Sequence, residues 1–453
     1  GTVIGAGLNF GFSGFNVIAG GDANDVFSLS AATPLSIVLD GGGGIDQLDY
    51  STFSTPIVIN LADQTASGIA GFRNLEGVLG GTSASDLLQG TDSDNTFTIA
   101  GANQGNVNGT FSFSSIENLQ GGVGNDTVSF QPGAQLSGNI EGGEGTLTLQ
   151  GDRLDWSGFV SGTGQLNLQP LSSDRPIRLG ENTGSSTTLE LSVAALSSLQ
   201  GFSSITVGLP LGNGLISGTG ALTMSSPLTL QSLGSGGAID LTGATLTTPG
   251  TSVTLLANQS IQTNLIATNG GALSLTSNEG SITSTGTLQT SGSQVGAEVG
   301  GNLTLIAPGA ITTGDLNTSA NTGGNLQVQS QTAITTGAIT TRGLNGSGGN
   351  VLLDPPGDVQ VSYIDARGTT QGGNVSITTG SLFRATGLIP GTLDSISTAG
   401  ALTGSATGGA ITITHNGVSL GEFFLVSNGA TNNGTVGGIS SGNLQVPPGQ
   451  YGQ

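Results

Sequence analysis

Gly300-Gly301-Asn302-Leu303-Thr304-Leu305 is answered from position 323 by Gly323-Gly324-Asn325-Leu326-Gln327-Val328, a spacing of 23. A second phrase, Ala-Ile-Thr-Thr-Gly, starts at Ala310 and again at Ala333, at the same spacing. Two different motifs that keep one period indicate a stacked repeat. Leu303-Thr304-Leu305 alternates apolar and polar with period two, the mark of a strand with one buried face. The Gly-Gly pair is expected to supply the positive φ that turns a corner. Asn302 and its equivalents are expected to bond to one another along a ladder.

Working outward, the same phrase reads GGAIDL from Gly236, GGALSL from Gly270, GGNVLL from Gly348, GGNVSI from Gly372 and GGAITI from Gly408. The successive spacings are 34, 30, 23, 25, 24 and 36. No stretch keeps an apolar period of 3.6, so almost no α-helix is expected. The fold class that follows is all-β, an elongated right-handed parallel β-helix (β-solenoid). With roughly 20–30 residues per coil, the chain makes on the order of 18 coils and a rod roughly 90 Å long.

The composition fits a narrow, repeated core. Of 453 residues, 82 are Gly, aromatics are 4% and charged residues 8%. There is no Cys, no Lys and one His, and the net charge is -21. Seven dispersed Arg offer no cationic cradle, which argues against nucleic acid as a partner. Without Cys there are no disulfides and no thiolate metal sites. No run of 18 apolar residues is present, so no membrane span is expected. The chain begins Gly1-Thr2-Val3, and is expected to be a processed or trimmed part of a longer product.

The N-terminal third repeats differently. GGDANDVFS from Gly20 and GGVGNDTVS from Gly121 are offset by 101, and the same offset carries Phe12 onto Phe113 and Asp25 onto Asp126. By pattern the chain divides into residues 1–150, a less regular stretch over 151–235, and 236–453. In the middle stretch Leu189, Leu191 and Val193 share one face of an alternating strand.

These phrases carry two resemblances. Residues 15–150 resemble the repeats-in-toxin nonapeptide G-G-x-G-x-D-x-U-x. GGGGIDQLD from Gly41 and GGVGNDTVS match throughout, and GGDANDVFS departs at Ala23. GTSASDLLQ from Gly81 and GTDSDNTFT from Gly90 are degenerate copies in tandem. Residues 236–440 resemble the filamentous-haemagglutinin type of β-helix in large secreted bacterial adhesins. The first resemblance implies Ca2+ held by Asp25, Asp46 and Asp126, with Asp86 as a weaker ligand, because Ca2+ takes six to eight oxygens from carboxylates and carbonyls. Asp22, Asp49, Asp92 and Asp94 lie nearby. Two departures weigh against it: the good copies are not consecutive, and Asn95 stands where Asp is expected. The competing account makes Gly-x-Asn-Asp a corner turn and nothing more.

Other chemistry is sparse. Asp152, Arg153, Asp155 and Trp156 form a polar-aromatic cluster that reads as a sugar-contacting patch or, more simply, as Trp156 plugging an irregular coil. His415, alone before Asn416-Gly417, is expected to face solvent and not to be catalytic. Thr312-Thr313 and Thr335-Thr336 are adjacent pairs, so their members point to opposite faces and imply no two-column outward Thr array. The expected role is therefore that of a secreted, cell-surface structural or adhesive protein, not an enzyme; the alternative is a polysaccharide-binding or polysaccharide-cleaving β-helix. Surface glycans are candidate partners. Neither end shows a polar cap: Leu8, Phe10, Phe12, Phe15, Val17 and Ile18 crowd the start, and Phe423, Phe424, Leu425 and Val426 precede a Pro447-Pro448 exit. Open strand edges recruit further strands, so self-association head to tail into a fibre is expected.

Overall fold

The computed structural model describes residues 2–5, 8–11, 14–30, 35–292, 299–400, 407–427 and 432–451. The chain forms two compact units: Gly1–Leu171 with Ser186–Leu189 and Ser197–Ile205, and Ser172–Ser185 with Glu190–Leu196 and Thr206–Gln453. Both are built almost wholly of short strands in long parallel ladders. Helix is confined, among the described residues, to Val193–Ser197 and a single 3-10 turn at Val418–Leu420. Val193 therefore leaves the alternation expected of it; it opens the helix and is exposed, while Leu189 and Leu191 are buried.

In the C-terminal unit one coil comprises Leu303–Ala307, Ile311–Thr313 and Leu316–Asn317, three strands separated by corners. Each pairs in parallel with its equivalent one period on: Leu303 with Leu326, Ile311 with Ile334, Leu316 with Ile339. The first ladder aligns Val253, Leu273, Leu303, Leu326, Val351, Val375 and Ile411 in one inward column. The first six of these are 0–2% exposed. Each buried aliphatic of this size contributes roughly 1.5–3 kcal/mol, so a thin coil is stabilised by its two neighbours and needs no bulky core.

The register corrects one repeat. GGAIDL from Gly236 does not precede GGALSL in this ladder: Ile239 pairs with Ile261 on a different face, and Leu273 pairs with Val253. The spacing of 34 is thus not a coil. The true step is the shorter one from Val253 to Leu273, out of a phrase without the Gly-Gly signal, Thr251-Ser252-Val253-Thr254-Leu255.

Gly270 has the positive φ expected of these pairs, but most of the Gly-Gly pairs are needed for another reason. None of Gly300, Gly301, Gly323, Gly324, Gly348, Gly349, Gly372 or Gly373 has positive φ. What forbids a side chain is space. A Cβ on Gly349 would strike the Gly324 carbonyl of the preceding coil, and one on Gly323 would strike the Thr341 carbonyl. Backbone stacks on backbone at this corner. Where the second glycine is Gly324, Gly349 or Gly409, its carbonyl accepts from a buried Thr: Thr318 Oγ1 to Gly324 O at 2.5 Å, Thr341 to Gly349 at 2.7 Å, Thr398 to Gly409 at 2.7 Å; at Gly373 the equivalent residue is Ala366. The residue after the pair makes the expected ladder. Asn302 Oδ1 accepts the Asn325 N–H, Asn325 that of Asn350, Asn350 that of Asn374, and Asn374 that of Ala410, at 2.8–3.0 Å. It ends at Ala410, which has no side-chain oxygen.

The N-terminal unit has coils of less even length. Val26–Ser28 pairs with Gln47–Asp49, which pairs with Gly77–Leu79, so the step lengthens from 21 to 30. Thr96–Gly101 pairs with Asp126–Phe130 at a step of 31, and between them Gln104–Val107 makes an antiparallel excursion. The nonapeptide-like copies are therefore corners; those from Gly20 and Gly41 stack in neighbouring coils, as do those from Gly90 and Gly121, while the one from Gly81 lies over the Phe53 loop. The tandem copies at Gly81 and Gly90 are successive corners of a single coil, followed by Leu87–Gln89 and Thr96–Gly101.

The C-terminal end is covered, although its sequence shows no cap. Leu444–Val446 runs antiparallel on Gly438–Ser441, and Gly449–Tyr451 antiparallel on Phe424–Val426. An antiparallel return uses the strand edge without continuing the coil. At the other end Thr2–Gly5 and Leu8–Gly11 pair as an antiparallel hairpin. Phe12 lies outside the described residues, and Phe15 and Val17 are exposed.

Candidate functional site

The acidic corners of the N-terminal unit hold the four aspartates of the nonapeptide-like motifs. Two of these corners, at Asp25 and Asp86, and the related corner at Asn95 share one geometry. The Gly21 N–H donates to Asp25 Oδ2 at 2.7 Å, the Gly81 N–H to Asp86 Oδ2 at 2.7 Å, and the Thr91 N–H to Asn95 Oδ1 at 3.1 Å. The side chain closes the turn that precedes its own strand. The first glycine of the motif makes room for it: a Cβ on Gly20, Gly41 or Gly121 would strike the carboxylate of Asp25, Asp46 or Asp126.

The second oxygen reaches back to the preceding coil. Asp46 Oδ1 accepts the Asp25 N–H at 2.7 Å, and Glu76 Oε2 accepts the Asp46 N–H at 2.8 Å. Asp86 Oδ1 accepts the Ile57 N–H at 3.1 Å, Glu117 Oε2 the Asp86 N–H at 3.2 Å, and Asp126 Oδ1 the Asn95 N–H at 2.9 Å. Asp46, Asp86 and Asp126 are no more than 1% exposed. A carboxylate so buried is tolerated only when hydrogen-bonded, and charge-assisted bonds from backbone amides answer that need. Glu76 and Glu117 escape a reading of the motifs. The signal for them is an acid immediately before a strand start, or one residue removed, in coils that lack the full glycine motif.

Electrostatics follow from this burial. Burial pushes the Glu117 carboxyl above its ordinary value, the Asp86 N–H pulls it back, and the charge of Asp86 raises it again. Burial likewise raises Asp126 against the hydrogen bonds from Asn95, with Asp94 adding to the rise.

The four aspartates do not converge on one point. Asp25 and Asp46 lie in successive coils, Asp86 on another ladder, and Asp126 beyond the antiparallel excursion. Among the described residues no three His, Cys, Asp or Glu side chains converge on a point that could hold a metal. Asp86 has given both oxygens to backbone amides. Asp46 and Asp126 each retain one buried oxygen, Oδ2, without a hydrogen bond.

The remaining sequence candidates are dispersed. Trp156 is half-buried and its Nε1 donates to Ser198 Oγ at 2.9 Å, while Arg153 pairs with Asp155 at 3.0 Å on the surface. His415 does not face solvent. It is buried, its ring stacks on Phe424 with centroids 5.1 Å apart, and its Nδ1 accepts the Gly417 N–H at 3.0 Å. The Asn416-Gly417 turn folds back over the imidazole instead of carrying it outward, and burial lowers its pKa. Thr312 and Thr335 face outward and Thr313 and Thr336 inward, as expected from the alternation.

One carboxylate site in the C-terminal unit had no sequence signal. Glu190 accepts the backbone N–H groups of Thr183, Gly184 and Ser185 at 2.7, 2.9 and 3.1 Å, the Thr183 hydroxyl at 2.6 Å and Arg178 at 3.3 Å. Burial opposes its charge, but the combined bonds from Thr183, Ser185 and Gly184 prevail and hold its pKa down. This is an anion nest filled by the protein's own side chain. The same unit carries a shallow pocket of about 350 Å³ lined by Ile411, Ile413, Phe424, Ile439, Leu444 and Tyr451, among others, with no carboxylate.

No protein family, no curated protein and no solved structure matches this chain. No helix of the described residues is long and apolar enough to cross a membrane.

Proposed function

We propose that this chain is a right-handed β-solenoid that serves as a secreted structural or adhesive element of a bacterial surface, a stalk and not a catalyst. The observation that carries the reading is the unbroken inward column from Val253 to Val375, six coils in one register with every member buried. Such a ladder sets a distance and presents outward side chains at a fixed spacing. Parallel strands joined within one sheet are overwhelmingly linked by right-handed crossovers, which supports the handedness. The buried acids favour a structural role, because their oxygens are spent on backbone amides of neighbouring coils and not gathered in a groove. Outward Thr, Asn and Gln columns suit contact with surface glycans. Assembly of copies into a fibre remains within this reading, but the antiparallel strands at the C-terminal end favour a stalk of single chains.

One experiment separates this from the polysaccharide-cleaving alternative, and a second from assembly into a fibre. Purified chain incubated with acidic and neutral polysaccharides is expected to release no new reducing ends while binding a subset in pull-down. Turnover above buffer would overturn the stalk reading. Sedimentation across a concentration series is expected to give the mass of one chain, and concentration-dependent growth would restore the fibre.

A further inference from the structure

The corner that departs from the acidic pattern explains itself in three dimensions. Asn95 is 2% exposed, and its Nδ2 lies among three oxygens: Thr91 O at 2.8 Å, Ser93 O at 2.7 Å and Asp126 Oδ1 at 2.9 Å. Its Oδ1 turns the other way, accepting the Thr91 N–H at 3.1 Å and the Thr91 hydroxyl at 2.9 Å. The orientation of the amide is fixed by these partners, since the reverse placement would set oxygen against three acceptors. Two loop carbonyls and a carboxylate around one positive group form the kind of oxygen set that a hard cation attracts.

We infer that the Asn95 carboxamide is a built-in substitute for a cation, closing this corner from within so that it needs no metal. The amide supplies two N–H donors where an aspartate would supply none. With Asp at this position, a carboxylate oxygen would face Thr91 O, Ser93 O and Asp126 Oδ1 in a site already closed to water. Oxygens with no positive charge between them repel strongly in such surroundings. The corner would then have to take up a proton or a cation. Asp46 and Asp126 show what a carboxylate at such a corner leaves over, a buried Oδ2 that no hydrogen-bond donor reaches. Asn95 also bonds through its Nδ2 to Asp126 Oδ1, so it neutralises part of the neighbouring corner as well as its own.

The test is Asn95→Asp in the full chain, with Ca2+ alone as the probe. In chelator at neutral pH the variant is expected to melt below the wild type. Roughly millimolar Ca2+ is expected to restore at least half of that loss, and calorimetric titration is expected to count one more Ca2+ per chain in the variant than in the wild type. Equal uptake by both proteins, or a loss that Ca2+ does not reverse, would overturn the inference. If the variant does not fold, the wild type decides. The Asn95 side-chain amide protons, resolved by NMR, should exchange about 100-fold more slowly than those of exposed Asn182, as expected for bonded, water-excluded donors. Equal exchange rates would also overturn it.

Discussion

The two units meet one backbone requirement with different chemistry. A corner between stacked strands leaves amide N–H groups that a parallel ladder does not use, and each must find an acceptor. At the Gly-Gly corner of the C-terminal unit the acceptor is neutral: Asn302, Asn325, Asn350 and Asn374 each reach forward to the next coil, while at other corners Asp315 and Asp358 reach forward in the same way. The N-terminal unit also has forward-reaching amides, such as Asn118 to Asn139 and Asn139 to Phe159. To these it adds carboxylates that reach backward, from Asp46, Glu76, Asp86, Glu117 and Asp126. A carboxylate makes the stronger bond but must be held charged out of water, and it titrates. An amide does neither. The acidic skew of the sequence, 16 of 28 acids at or before Asp155, is in part this structural choice.

The sharpest challenge to the backbone-on-backbone account is Gly349→Ala. The added Cβ strikes the Gly324 carbonyl, and neither backbone can yield without breaking the ladder, so the C-terminal unit should lose about 3 kcal/mol or more. Gly21→Ala, in open space at a corresponding motif position of the N-terminal unit, should change stability by less than about 0.5 kcal/mol. Denaturant unfolding of both variants checks the pair, and equal losses would sink the account.

Next in size is Asp86→Ala. It strips acceptors from the Ile57 and Gly81 N–H groups and should cost the N-terminal unit about 3 kcal/mol. The matching deletion in the other unit, Asn350→Ala, removes one acceptor from Asn374 and should cost about 1 kcal/mol. If the neutral ladder proves as costly to break as the charged one, the contrast between the units is wrong.

The smallest expected effect is on pH, and it has opposite signs in the two units. Glu117 and Asp126 have folded pKa values raised above the ordinary 4.5 and 3.8. Their protonated forms favour the fold, so the stability of the N-terminal unit should rise as pH falls from neutral toward those values and be lost again as pH climbs through the raised ones. His415 has a folded pKa lowered from 6.5. Below 6.5 the unfolded chain takes the proton more readily, so the C-terminal unit should weaken as pH falls through that range. Glu190, held low by its nest, keeps its contribution above 4.5 and loses it only in stronger acid. Hydrogen exchange read separately for the two units at pH 7 and pH 5 should show protection rising in one and falling in the other. Movement of both units in the same direction would refute the assignment.

Much of the C-terminal ladder is legible in the sequence. Leu303-Thr304-Leu305 and the phrases that answer it from Leu326, Val351 and Val375 do stack as strands. The failures are instructive. Gly236 opens a phrase that matches the repeat in type but not in place, because a short phrase says nothing about which face of a coil it occupies. His415 reads as exposed because Asn-Gly marks a turn, and a turn can fold over its neighbour as well as away from it. The return strands Leu444–Val446 and Gly449–Tyr451 alternate too little to be read as a cap. Asp25, Asp46, Asp86 and Asp126 do stand in corners, as their motifs imply. Yet Asp46, Asp86 and Asp126 also hold amides of the preceding coil, which are remote in sequence.

The sequence by itself determined the strand period, the near absence of helix and the presence of glycine corners, because these are local: alternation, chain stiffness and side-chain size act within a few residues. Only the tertiary structure decided what each corner side chain bonds to, since that partner belongs to a neighbouring coil and the step between coils varies from 19 to 50. It decided that the Gly-Gly pairs from Gly300 to Gly373 are required by close backbone approach and not by handedness of φ. It also decided that Asn95, which reads as a lapse in an acidic motif, sits where three oxygens converge and brings the two protons they need.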